Sequence, residues 1–217
     1  MIIYNPNDET ILIERIEEAE KILNSIPVKH CFISGSFLFK KYYRDIDLFI
    51  ISRTKKQIKL DNKKINIISI DFNELYSLFY HSASKSCISK NILPKRELKV
   101  TIADYWGVVN EAIPTILNEK NKYHKNIRFL VLYTEYFKNK RVLDTYELNR
   151  EIRKFRNFKE ILGYVMNEVP IVVNRNVGKG YIKRYFYTQA GYYKDSIDYE
   201  SQRYLYELSH HIVKGVA

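Results

Sequence analysis

Three aspartates in the first third of the chain have the types and the spacing of a metal-dependent phosphoryl-transfer site. Asp45 and Asp47 are separated by one residue in DIDLFIIS (45–52), and Asp71 ends the next apolar run, KINIISID (64–71). Side chains alternate between the faces of a strand, so Asp45 and Asp47 are expected to point the same way. Two like charges this close repel, and a divalent cation between them removes the repulsion. Hard carboxylate oxygens suit Mg²⁺.

Asp71 completes the ligand set if its strand is the neighbour of the first. Three carboxylates on two adjacent strands suit two-metal phosphoryl transfer, in which one Mg²⁺ ion activates the attacking hydroxyl and the other holds a triphosphate. Gly35 and Ser36 directly follow the apolar run HCFIS (30–34). Their N–H groups and hydroxyl can bind a phosphate, and a glycine lets the phosphate approach the backbone closely. The sequence therefore predicts a two-metal site with a phosphate-binding turn beside it.

The hydrophobic pattern around these residues predicts an α+β fold. A helix is expected from Asn7 or Asp8 to about Ser25, because apolar residues recur there at helical spacing. Short β-prone apolar runs predict three strands, and a helix is expected after the third. The strands occupy residues 30–34, 45–52 and 64–71, and the helix occupies residues 73–80.

A polar, Ser-rich segment divides this region from the rest of the chain. SASKSCISKN (82–91) is predicted to be a linker or an active-site loop. The expected organisation is a catalytic domain over residues 1–90 and a mainly helical, basic, substrate-binding domain over residues 91–217. Within the second domain, helical spacing predicts a buried helix over 126–139 and one or two helices over 147–169.

The positive charge is concentrated in the second half of the chain. The net charge is +11; residues 1–121 hold 18 Lys and Arg against 15 Asp and Glu, and residues 122–217 hold 18 against 10. This excess favours a polyanionic partner such as RNA, the alternative being a solubilising surface. In KGYIKRYFY (179–187) cations alternate with aromatic residues, a composition that suits bases and phosphates. Lys183 is therefore a candidate nucleotide-binding residue.

Cysteine content and hydropathy indicate the compartment. The chain has two cysteines, Cys31 and Cys87, neither in a CxxC pair. They are expected to be free buried thiols of a protein in a reducing compartment, with no structural zinc. No signal-like start and no apolar run of about 18–20 residues is present. The expectation is a cytoplasmic protein that makes no membrane contact.

The segment GSFLFKKYYRDIDLFI resembles the signature of the nucleotidyltransferase superfamily related to DNA polymerase β. That signature is an apolar strand, Gly-Ser, a spacer, and then Asp and an apolar residue twice in succession. The resemblance implies a nucleotidyltransferase-like mixed β-sheet flanked by helices, two Mg²⁺ ions and an NTP, with Gly35 and Ser36 at its phosphates. It further implies that Asp45 and Asp47 ligate the metal and that Asp71 is the third carboxylate.

Within that superfamily the chain looks most like the small nucleotidyltransferases of toxin–antitoxin pairs. The implied reaction is transfer of NMP from an NTP, such as ATP, to a hydroxyl acceptor with release of pyrophosphate. The acceptor is expected to be an RNA end, such as a tRNA 3′ terminus, or a side chain of a partner protein. Cationic antibiotics are disfavoured by the positive net charge. The alternative is a catalytically inactive relative that binds RNA or protein.

Overall fold

A five-stranded mixed sheet is built from residues 2–89. The computed structural model describes residues 1–53, 60, 62–101, 104, 105, 107, 108, 112 and 121–168. The strands are β1 (Ile2–Tyr4), β2 (His30–Ser34), β3 (Ile46–Ile51), β4 (Ile65–Ile70) and β5 (Cys87–Ser89). Their order in the sheet is β1-β5-β2-β3-β4, with β3 and β4 parallel and the other neighbours antiparallel. The predicted mixed sheet with flanking helices is confirmed at this level, and β2 has the predicted bounds.

Five helices have defined bounds in the part of the chain that the structure describes. They are α1 (Glu9–Ser25), α2 (Leu78–Lys85), α3 (Lys125–Asn139), α4 (Thr145–Arg153) and α5 (Phe158–Glu168). Two short 3₁₀ turns cover Ser36–Leu38 and Glu74–Tyr76. The carboxylate of Asp8 accepts a hydrogen bond from the N–H of Ile11 at 3.1 Å, so Asp8 caps α1 as its position predicts. The region 147–169 holds two helices, one of the two arrangements that its pattern left open.

The sheet buries apolar side chains on both faces. On one face Ile33, Leu48 and Ile50 pack with buried residues of α1, among them Leu12 and Leu23. The other face is built from Phe32, Phe49 and Ile70 with Leu75, Tyr80 and Ala83 from the second 3₁₀ turn and α2. Because β3 is covered on both sides, its sequence after Asp47 is a continuous apolar run rather than an alternating one.

The Ser-rich segment 82–91 is not a linker, and this prediction is wrong. It contains the end of α2 and all of β5, which lies between β1 and β2 near the middle of the sheet. Its serines are compatible with burial because their hydroxyls donate to backbone carbonyls: Ser82 to Leu143 at 2.5 Å and Ser89 to Asn91 at 2.7 Å. The short strand β1 at the other side of β5 was not predicted.

Contacts divide the described chain into two compact units. The first comprises Met1–Asp104 with Val142–Glu151, and the second comprises the described residues of Tyr105–Arg141 and of the chain from Ile152 onward. The predicted domain boundary after residue 90 falls inside the first unit, and the proposed division of labour between two domains stays a prediction.

The second unit is helical where it is described. Helix α3 has the predicted extent to within one residue. The hydroxyl of Tyr164 on α5 donates to the carboxylate of Glu135 on α3, and the Lys138 ammonium lies 5.3 Å from the centre of the Tyr164 ring. Residues 169–217, which include Lys183, lie outside the described residues. None of the helices described here combines the length and the apolar composition that crossing a membrane requires.

Candidate functional site

The antiparallel pairing of β2 and β3 brings the Gly-Ser turn to the aspartate pair. Ser34, the last residue of β2, lies opposite Asp47 near the start of β3. Gly35 and Ser36 follow Ser34 directly and lead into the first 3₁₀ turn. The end of β2 and the starts of β3 and β4 thus share one edge of the sheet. We call the group Gly35, Asp45, Asp47 and Asn66 at this edge the carboxylate edge.

Gly35 is in close contact with the Asp47 carboxylate. Its backbone has φ +90° and ψ −161°, a conformation that residues other than glycine rarely adopt. A Cβ atom added at Gly35 would lie 2.8 Å from Oδ2 of Asp47, closer than carbon and oxygen atoms pack. The sequence predicted that a glycine here would let a phosphate approach the backbone. The structure shows that it lets the carboxylate of Asp47 do so.

Asn66 holds the other oxygen of the same carboxylate. It is the cross-strand neighbour of Asp47 on the parallel strand β4, and its side-chain amide donates to Oδ1 of Asp47 at 2.8 Å. Asp47 is therefore oriented from two sides, by a turn after β2 and by a side chain of β4. The sequence analysis missed Asn66, which becomes a candidate only once β4 is known to pair with β3 in parallel and in this register.

Asp45 lies one residue before β3 and is half-buried, as is Asp47. Strand alternation places the two on the same side of the chain. The intervening Ile46 is fully buried in the cluster beneath α1. The predicted division of this segment, with apolar residues on one face and the carboxylates on the other, is therefore confirmed at Ile46 and Asp47.

Asp71 does not join the pair, and this expected placement is wrong. The strands β3 and β4 are neighbours as expected, but they are parallel, so the start of one lies beside the start of the other. Asp71 follows the far end of β4, five residues beyond Asn66, which corresponds to about 16 Å along the strand. There its Oδ1 accepts hydrogen bonds from the N–H groups of Asn73 at 2.7 Å and Glu74 at 3.1 Å.

The local role of Asp71 is that of a capping residue. Its own N–H donates to Oε2 of Glu74 at 2.8 Å, which completes a reciprocal pair of bonds at the second 3₁₀ turn. This arrangement explains an aspartate at the end of an apolar strand without reference to a metal.

The carboxylate edge offers two carboxylates, Asp45 and Asp47, as donors to a cation. Across the described residues no three His, Cys, Asp or Glu side chains come together as a metal-ligand group. Mg²⁺ is commonly bound by one or two carboxylates and completes its coordination with water and phosphate oxygens. The pair Asp45 and Asp47 meets that requirement, whereas the predicted second ion lacks its third carboxylate at Asp71.

The floor of the site is apolar on the α2 side of the sheet. Two residues further into the sheet, and so on the same face, the rings of Phe32 and Phe49 stack with centres 4.6 Å apart. Ser34 is buried, and its hydroxyl donates to the carbonyl of Ser86 at 3.1 Å. Asp45 and Asp47 are half-buried, so the pair of carboxylates stands at the boundary between core and solvent.

The spacer between Ser36 and Asp45 is fixed by Arg15 of α1. The Arg15 guanidinium lies 4.8 Å from the centre of the Tyr43 ring and 5.5 Å from that of Phe37, and it donates to the carbonyl of Lys41 at 3.0 Å. Cation–π contacts of this kind contribute about 0.5–2 kcal/mol each. The segment that carries the Gly-Ser turn to the aspartates is therefore anchored rather than loose.

Exposed cations lie in the segments next to the carboxylate edge. We call this set the basic rim; it consists of Lys40, Lys41, Arg44, Lys63 and Lys64. Lys64 is adjacent to the start of β3, because its carbonyl accepts from the N–H of Ile46 at 2.9 Å. Within the ranges that the structure describes, no member of the basic rim forms an ion pair. Their charges are therefore available to an anionic ligand.

Comparison of the chain with the profiles of known protein families, with curated proteins and with solved structures finds no match.

Proposed function

We propose that the chain is a Mg²⁺-dependent nucleotidyltransferase that transfers NMP from an NTP to a hydroxyl acceptor. The observation that carries the proposal is the contact between Gly35 and the Asp47 carboxylate, with Asp45 beside it. A Gly-Ser turn, two carboxylates on one strand face and an apolar floor meet at a single edge, as the resemblance to the nucleotidyltransferase superfamily requires. The mixed sheet with helices on both faces is consistent with that fold.

The residues of the edge have distinct proposed tasks. Asp45 and Asp47 bind the cation, and Gly35 and Ser36 bind phosphate oxygens beside it. A bound Mg²⁺ ion would supply neutralisation of the triphosphate charge and orientation of its α-phosphate. In the reaction the acceptor oxygen forms a bond to the α-phosphorus, and the bond from that phosphorus to the bridging oxygen breaks. The acceptor loses its proton and pyrophosphate leaves.

The basic rim supports an RNA acceptor. The five exposed cations of the basic rim outnumber the two carboxylates that they neighbour in the chain, so the surface of these segments carries a net positive charge. A phosphodiester chain is attracted to such a surface, in a manner that weakens with added salt. The acceptor we favour is accordingly an RNA end such as that of tRNA. The competing acceptor, which the experiment below distinguishes from it, is a side chain of a partner protein.

Label transfer tests the proposal. The full chain is incubated with Mg²⁺ and each α-³²P-labelled NTP, with total tRNA, with protein acceptors or alone. Wild type is expected to label the RNA, and Asp45→Asn and Asp47→Asn to lower the rate at least about 100-fold, a loss of about 2.7 kcal/mol of transition-state stabilisation. Asp71→Asn is the matched control, because the same chemical change is made about 16 Å away, and it is expected to retain transfer.

Charge-matched variants test the acceptor separately. Arg44→Ser with Lys64→Ser removes two cations of the basic rim. The control pair, Lys29→Ser with Arg53→Ser, removes two exposed cations near the ends of β2 and β3 that lie away from the carboxylate edge. We expect the first pair to weaken binding to single-stranded RNA about tenfold or more at 0.1 M salt and the second to have a smaller effect. Equal effects would contradict an RNA path over the basic rim, and labelled protein in place of RNA would contradict the acceptor class.

Two observations favour the alternative of an inactive, nucleotidyltransferase-like binding protein. The neighbour of Asp47 on β4 is an amide rather than a carboxylate, and Asp71 is occupied in capping. Binding of RNA at the basic rim that is unaffected by Asp47→Asn, with no label transferred from any NTP, would establish this alternative and overturn the enzyme.

A further inference from the structure

We propose that Asn66 sets the cation capacity of the carboxylate edge at one divalent ion and holds Asp47 in position to bind it. The inference rests on the proposed function for the identity of the cation. It extends that function by assigning a positioning residue and a metal stoichiometry.

Asn66 is the residue of β4 that lies opposite Asp47 and whose side chain reaches its carboxylate. Its Nδ2 lies 2.8 Å from Oδ1 of Asp47, and Gly35 lies against Oδ2 on the other side. A carboxylate at position 66 would bring an oxygen to within the same few ångströms. The amide instead donates a hydrogen bond to the carboxylate, which orients it.

Charge explains why the amide limits the number of ions. Asp45 and Asp47 together carry two negative charges, which one divalent cation balances. A third carboxylate would add repulsion among the ligands of the empty site and leave one ligand charge unbalanced in the singly occupied site, and both changes favour a second ion. With Asn66 in place neither change arises. Outer residues that hydrogen-bond to metal ligands typically alter metal affinity about 10–100-fold.

Counting bound Mn²⁺ ions tests this directly, without nucleotide and without reference to turnover. Free Mn²⁺ is measured by electron paramagnetic resonance during titration of the full chain. We expect one ion per chain for wild type, none at this site for Asp47→Asn, and two for Asn66→Asp. Asn66→Ala is expected to keep one ion with about tenfold weaker affinity. Asn91→Asp is the matched control, because Asn91 is also an exposed asparagine whose amide donates to an oxygen, the carbonyl of Lys29 at 2.7 Å.

The outcomes separate this inference from the proposed function. Two ions on wild type that both disappear in Asp47→Asn, no ion on wild type, or one ion on Asn66→Asp would overturn the inference, even if NMP transfer is observed. One ion on wild type and two on Asn66→Asp would support it, even if no NTP is used. A second ion gained equally by Asn91→Asp would show a general effect of charge and would also overturn it.

Discussion

Replacement of Gly35 by alanine tests the contact on which the site is built. The substitution costs free energy twice. The backbone at φ +90° and ψ −161° lies in a region that is essentially restricted to glycine, and a non-glycine residue there costs about 1–3 kcal/mol. The new Cβ also lies 2.8 Å from Oδ2 of Asp47, so the carboxylate or the turn must move. We therefore expect both stability and cation binding to fall.

The stability loss of about 1–3 kcal/mol corresponds to a fall in Tm of about 2–4 °C for each kcal/mol in a chain of this size. Thermal unfolding measures it, and Mn²⁺ titration measures the displacement of Asp47 independently. Gly107→Ala is the matched control: a Cβ at Gly107 meets no atom within 4 Å, and its backbone is helical. That variant should be unchanged or more stable by up to about 1 kcal/mol. A Gly35→Ala protein with the Tm and the Mn²⁺ affinity of wild type would refute the contact.

Three further outcomes follow from the described residues. Asp71→Ala should lower stability by about 1 kcal/mol, because the second 3₁₀ turn loses its capping residue, but it should leave Mn²⁺ binding intact. Loss of Mn²⁺ binding would show that Asp71 belongs to the metal site. Burial lowers the pKa of His81 below its ordinary value of about 6.5. The unfolded chain therefore binds the proton first, and stability falls as the pH drops below about 6.5. Urea midpoints at pH 7.5 and 5.5 should differ less for His81→Gln than for wild type, and equal differences would contradict this assignment. Burial raises the pKa of Cys31 to about 11 and also raises that of Cys87, so neither thiol should react with a disulfide reagent at pH 8 until the chain is unfolded; fast reaction of the native protein would contradict their burial.

The sequence predicted those helices and strands whose apolar residues form a clear pattern. Helix α1, with Asp8 as its cap, has apolar residues at helical spacing, and strand β2 is a short continuous apolar run. Strand β5 was missed because its core contacts are made partly by serines. A hydropathy pattern scores Ser89 as polar, whereas in the fold its hydroxyl is buried and bonded to a carbonyl.

The candidate site was predictable only as far as local spacing determines it. Asp47 and Gly35 are brought together by the pairing of two consecutive strands, which the order of the runs already favours. Asp71 and Asn66 depend on the direction of β4 relative to β3, which the sequence of either strand leaves open. The connection over residues 52–64, about a dozen residues, is long enough for the crossover that a parallel pair needs. Its length was the one available signal that the two strands are parallel.

The position of the label in the NTP provides the most direct test of the central claim. Wild-type protein is incubated with Mg²⁺, tRNA and an NTP labelled either at the α-phosphate or at the γ-phosphate. The account predicts that the α-label is attached to the RNA and that the γ-label is released in pyrophosphate, both in dependence on Asp47. A γ-label on the acceptor, or transfer that persists in Asp47→Asn, would contradict a nucleotidyltransferase at the carboxylate edge.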